Sequence, residues 1–291
     1  MPVSEPSSQN HWIDAASRAA AGRDREFVAS PFALEVARLE REQGTARRAE
    51  FVRGVLQALI ERGRPRIGTL NLPDAVKART EREYRRIEKE LAKAGDEHFD
   101  LAHHTMRCDF RIVGFGRIPV GLHHIEISGV PRRLLWSGGA RQAWRAATLL
   151  TSAGGWTPFY RSHFTHGIKP WAFLMVYTPD ALAEWHHNVA DCLRLNPHIR
   201  GLLASSWWYD PQLAHVAPHL AFLREGSIAH GGILLRSGSS EGAGRFALAN
   251  SPERQRMHAA GEYEPVSYSV VWTRRALIDW ADHAGAERQH A

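Results

Sequence analysis

From residue 178 onward the chain alternates capped helical stretches with short apolar runs, and nothing else in the sequence constrains the fold as tightly. Thr178-Pro179-Asp180 supplies a capping hydroxyl, a proline suited to the first helical position, and an acid at the positive end of a helix dipole. A helix is therefore predicted to start there and to run to Leu195, where Asn196-Pro197 stops it. Apolar runs at 171–177, 199–206, 219–224, 232–236 and 266–272 read as strands. Helical patterns cover 245–260 and, behind a capping Thr273, 274–283. The predicted order is β-α-β-β-β-α-β-α.

The upstream half reads differently. Ser30-Pro31 opens a helix that Gly44 closes, and Thr45 opens a second one with Phe51, Val52, Val55, Leu56, Leu59 and Ile60 on a stripe that Gly63 ends. A third stretch, 73–93, interleaves acids and arginines and offers few core residues, which suggests a solvent-facing arm or a homodimer contact. Residues 1–10 read as disordered. Near residue 105 the texture changes: 110–115 and 122–127 read as strands, and 131–153 as a helix. The expected architecture is α/β (α+β), with a helical region, 1–104, ahead of an α/β domain, 105–291, whose mixed sheet is flanked by helices.

Composition removes several alternatives. The chain has 37 basic and 31 acidic residues, but the first hundred hold 18 and 17 of them and no basic run exceeds a pair, so no nucleic-acid partner is expected. Two cysteines without a CxxC spacing fit neither a disulfide framework nor a zinc site. The first ten residues lack the apolar core of a secretory signal, and the longest apolar run, 171–177, is too short for a bilayer. A cytoplasmic protein without a membrane partner is the expectation.

The element order over 171–284 resembles the core of the GNAT superfamily of acyl-CoA N-acyltransferases. Members of that family hold the donor's pyrophosphate on backbone amides of a glycine-bearing loop, Gln/Arg-x-x-Gly-x-Gly/Ala, between a strand and the next helix. The matching stretch runs from Arg236 to Arg245, with Gly242 and Gly244 at the glycine positions and Ser239 where the family has Gln or Arg. A competing register places the late family helix and its Tyr-bearing turn over 250–263. The resemblance implies acyl-CoA as donor, held by Gly238, Ser239, Ser240, Gly242, Gly244 and Arg245.

Two further groupings carry candidate chemistry. His124 and Glu126 alternate onto one face of the 122–127 strand with His123 on the other, and His163 or His166 is available as a third ligand. That set suits a mononuclear metal or a haem, or a half-buried polar face. His186-His187 read as structural, and Pro218 separates His215 from His219. Ser205-Ser206-Trp207-Trp208-Tyr209-Asp210-Pro211, at a strand end, suits either a pocket for an amphipathic ligand or a packing corner. No nucleophile elbow, P-loop or dinucleotide fingerprint is present.

These readings converge on a GNAT-like acyltransferase acting on an amine of a small molecule. Tyr209, Asp210 and His163 are its candidates for proton transfer, and Trp207 and Trp208 for substrate contact. The alternatives are an oxygenase-type metal or haem enzyme using His123, His124, Glu126 and His163, and a non-catalytic binding protein.

Overall fold

A computed structural model describes residues 6–164, 176–238, 240–249 and 251–289. It is a mixed α/β structure, 63% helical, and it divides into two compact units, residues 1–120 and 121–291. Among the described residues no helix is long and apolar enough to cross a membrane.

The first unit is built from helices α1 (Pro6–Ala21), α2 (Asp24–Val28), α3 (Pro31–Gln43), α4 (Thr45–Ile67), α5 (Asp74–Leu91) and α6 (His104–Val113), and closes with the two-residue strand β1 (Ile118–Pro119). Ser30 caps α3 as its hydroxyl accepts from the Ala33 amide at 3.2 Å, with Pro31 at the first helical position. Phe27, Phe32 and Phe110 form an aromatic centre, with ring centroids 5.2–6.2 Å apart.

Four expectations are corrected in this unit. Residues 6–10 belong to α1, which Arg62 ties down through Asn10 and Asp14. Helix α4 runs past Gly63 to Ile67, because Gly63 is where the Tyr84 ring lies against the helix and a β-carbon would meet its hydroxyl. Helix α5 is no arm: Val76, Thr80, Tyr84, Ile87 and Leu91 make a buried stripe beneath its charges. The 110–115 run is the end of helix α6 and not a strand, since almost every residue from Met106 to Val113 is buried and alternation carries no information there.

The second unit holds β2 (His123–Ser128), α7 (Gly139–Ser152), β3 (Phe159–Phe164), α8 (Pro179–Leu195), β4 (Gly201–Ser206), α9 (Leu213–Val216), α10 (Phe222–Ala229), β5 (Ile233–Arg236), α11 (Ser240–Ala247), α12 (Pro252–Ala259), β6 (Tyr268–Thr273) and α13 (Arg274–Gln289). Its strands form an open sheet in the order β2-β3-β4-β6-β5, with β3 and β4 parallel and the other neighbours antiparallel. Thr178 caps α8 through the Ala181 amide at 3.2 Å.

One sheet face carries Phe159, Leu203, Leu235 and Val271, which pack with Ala146, Leu149 and Leu150 of α7. Trp272 belongs to the opposite face and meets His186 of α8 and Trp280 of α13. The predicted strand at 219–224 is instead a 3-10 turn, Pro218–Leu220, leading into α10. The predicted helix over 245–260 is two helices, α11 and α12, and the strand expected at 171–177 lies mostly outside the described residues.

Candidate functional site

The β2–β3 register assembles the densest polar group in the second unit. His124 stands directly opposite His163, and Glu126 opposite Arg161, so all four side chains leave the same sheet face. Glu126 reaches diagonally to His163, with Oε1 2.9 Å from Nε2. The carboxylate is 5% exposed and the imidazole 22%, so a buried anion holds a ring that solvent still reaches. His124 is buried beside them.

Arg161 pairs with Leu203 between β3 and β4, so Ser205, two residues beyond Leu203, leaves the same sheet face as His163, two beyond Arg161. The Ser205 and Ser269 hydroxyls are hydrogen-bonded at 2.7 Å, and Ser269 lies opposite Ser205 on β6. His124, His163, Ser205 and Ser269 thus leave the same sheet face from four neighbouring strands. His166 lies outside the described residues. Sequence reasoning did not find β3, because Phe-Tyr-Arg-Ser-His-Phe does not alternate apolar and polar residues.

His123 leaves the opposite face. Its ring lies 4.5 Å from that of Trp185 and 6.4 Å from that of Trp208, and Nδ1 is 3.3 Å from the Ser162 hydroxyl. Burial first, and then the neighbouring histidines 186, 124 and 163, hold it well below the ordinary imidazole range. It stays neutral, and the sheet separates it from the His124–Glu126–His163 group.

The Trp207–Tyr209 segment is a 3-10 turn at the end of β4. Trp208 and Tyr209 are buried, and burial pushes the Tyr209 hydroxyl up to about 12. Trp207 lies at the surface edge with the Arg254 guanidinium 5.0 Å over its ring. Asp210 is 1% exposed; one carboxylate oxygen accepts from the Gln212 amide and the other from the Val266 amide, both at 3.0 Å. Desolvation raises its pKa, while those two amide bonds pull the other way. These contacts of Asp210 are those of a structural clamp.

The glycine stretch is not a loop in the predicted sense. Ser240, Gly242, Gly244 and Arg245 all fall within helix α11, which corrects the reading of Gly242 and Gly244 as loop glycines. Among the described candidates only Gly238 lies between β5 and that helix, beside Ser237, whose amide donates to the Ser267 carbonyl at 2.9 Å. Ser239 is outside the described residues. In the competing register Ser251 caps α12, and Gly261, at φ +73°, ends that segment.

Two other groupings were not legible in the sequence. A cavity of about 250 Å³ is lined by His186, Phe222, His230, Trp272 and Trp280, brought together from α8, α10, β6 and α13. In the first unit Glu90, His98 and Asp109 converge closely enough to hold an ion. Arg86 already supplies the positive charge there, bonding Glu90 at 2.7 Å and Asp109 at 2.5 Å.

In comparisons with known proteins the chain matches no family model, no curated protein and no solved structure.

Proposed function

We propose that the second unit is a small-molecule group-transfer enzyme in which His163 is the general base and Glu126 its orienting carboxylate. One observation carries this reading: the 2.9 Å contact between Glu126 Oε1 and His163 Nε2, made from a buried strand to a half-exposed one. An anion this close to Nε2 favours a proton on that side of the ring, which directs the basic role to Nδ1. It also stabilises the imidazolium that forms when the ring takes a proton.

The finer reading, acyl transfer from a CoA-type or carrier-protein donor to an amine, rests on the GNAT resemblance and on the run of β5 through Gly238 into α11. In that reaction His163 takes the proton of the attacking amine as the nitrogen–acyl bond forms. The carbon–sulfur bond breaks, and the proton passes to the departing thiolate. The test is thiol release from acetyl-CoA with a panel of primary amines. His163→Gln is expected to lower the rate about a hundredfold or more at an unchanged melting temperature. A His163→Gln protein as active as the parent overturns the assignment.

A second reading is favoured by the placement of His124. Two imidazoles and a carboxylate on one face are a metal-ligand set, and 2.9 Å is close to the spacing of adjacent ligands around an ion with bonds of about 2.1 Å. Elemental analysis of tag-free protein tests it. Near-stoichiometric metal that His124→Ala removes supports this reading; metal-free protein that still transfers acyl groups favours the first.

A further inference from the structure

Between Glu126 and Asp180 the sequence contains no acidic residue, whereas it contains five arginines and one lysine. Four of those arginines, 132, 133, 141 and 145, lie in or beside the 3-10 turn Arg132–Leu135 and helix α7. All four are exposed, and among the described residues none has a carboxylate partner. This contrasts with the first unit, where arginines such as 38, 64 and 86 each bridge two or more acids.

Trp136, which closes that turn, and Trp144, on α7, are each 76% exposed. Helix α7 turns Ala146, Leu149 and Leu150 into the core, so 141, 144, 145 and 148 form its outward stripe. The platform is rigid. The Ser137 hydroxyl and the Gln142 amide both donate to the Arg236 carbonyl, at 2.7 and 2.9 Å, and the Arg236 amide donates back to Gln142 at 2.7 Å. Two indoles and four unpaired guanidiniums are thus held in water by a frame pinned to the edge of the sheet.

Leaving two tryptophans this exposed forfeits apolar burial that the rest of the unit secures, so the surface calls for an occupant. Unpaired arginines and the lack of any acid make that occupant anionic. The other exposed residues of α7 are Gly139, Ala140, Ala147, Thr148, Thr151 and Ser152, without the Asn or Gln side chains that read bases. Exposed indoles and arginines with small residues, spread over a turn and the helix that follows it, are the composition of an element lying in a lipid headgroup layer.

We propose that the turn at 132–135 and helix α7 form a docking surface for an anionic lipid membrane, with Trp136 and Trp144 entering the interface and Arg132, Arg133, Arg141 and Arg145 meeting the headgroups. The inference is independent of the chemistry assigned to His163. It places the protein on a bilayer surface, which no spanning helix is needed to reach.

The test is co-sedimentation of the full chain with vesicles of phosphatidylcholine alone and of phosphatidylcholine with one-third phosphatidylserine, at low and at physiological salt. Binding is expected only to the anionic vesicles, falling as salt rises and accompanied by a blue shift of tryptophan emission. Each of Arg141→Gln and Arg145→Gln should weaken it about fivefold. Trp144→Ala should weaken it about tenfold or more while leaving the melting temperature unchanged, since the side chain is exposed. Arg275→Gln, on the exposed face of α13 beside Asp279, should leave binding as it is.

Absence of anionic-vesicle binding at low salt overturns the proposal, as does binding that the α7 variants do not alter. Single-stranded oligonucleotide that binds in the absence of vesicles, and is lost with Trp144→Ala while vesicle binding is not, overturns it in favour of a nucleic-acid surface.

Discussion

Asp210 and Val266 are joined across the fold by a 3.0 Å hydrogen bond from the Val266 amide to one carboxylate oxygen, while the other oxygen holds the Gln212 amide. This pair fastens the turn after β4 to the approach to β6. Asp210→Asn replaces one acceptor with a donor that faces a buried N–H. A loss of about 1–3 kcal/mol is expected, read as a lower urea midpoint at an unchanged slope. A variant of parental stability would show that the clamp is dispensable.

Neighbouring tryptophans should separate cleanly. Trp208→Ala empties a buried site against His123 and Tyr177 and should cost about 3–5 kcal/mol. Trp207→Ala removes a half-exposed ring and its Arg254 contact, for about 1 kcal/mol. Equal losses in thermal denaturation would contradict this packing.

Acid should destabilise the second unit through histidines held neutral. Burial, aided by His187 and His230, lowers His186 from 6.5 to about 3, so the unfolded chain binds a proton that the folded one refuses between those values. Stability is therefore complete above pH 6.5 and declines as pH falls toward 3, by about 1.4 kcal/mol per pH unit for each such group. His123 acts in the same direction. Denaturation curves at pH 7, 6, 5 and 4 should show the decline, and His186→Phe should remove one proton's share of the slope.

Gly63 tolerates no side chain. A β-carbon there would collide with the Tyr84 hydroxyl, which donates to the Val113 carbonyl at 2.7 Å. Gly63→Ala is expected to lose about 1–3 kcal/mol despite its better helix propensity. A stabilised variant in calorimetry would show that Tyr84 can yield.

Glu126→Gln keeps the volume but replaces the anion facing His163. A stability change of about 1–3 kcal/mol is expected, together with a displaced imidazole Nε2 resonance and titration midpoint in nitrogen-15 spectra. An unchanged His163 resonance would remove Glu126 from its orienting role.

Where a local device determines the chain's path, the sequence showed it. Ser30 and Thr178 cap the helices expected of them, and the 122–127 alternation became β2. The 110–115 run reads as a strand because it is buried almost throughout and shows no period, whereas in 219–224 only Leu220 and Leu223 are buried, a spacing of three that belongs to helical turns. Of the candidate site, His124 and Glu126 were visible as alternate positions on one strand. Their meeting with His163 was visible only as a possibility, because a register between separate strands follows from the hydrogen-bond ladder and not from spacing along the chain. The role of Asp210 was hidden for a similar reason: its partner lies 56 residues away.

The strand order also says how the second unit must come into being. A hairpin can zip from its turn, but β3 and β4 are parallel and meet only after α8 has carried the chain across, and β4 then waits for β6 from beyond β5, α11 and α12. The centre of the sheet is thus assembled from partners distant in sequence, so chain closure must be completed before those ladders stabilise anything. The helices of the first unit close their backbone hydrogen bonds within a few residues, although their packing joins Phe27 and Phe32 to Phe110. In refolding, the first unit's helical signal should recover first, and the tryptophan environment of the second unit should lag behind it.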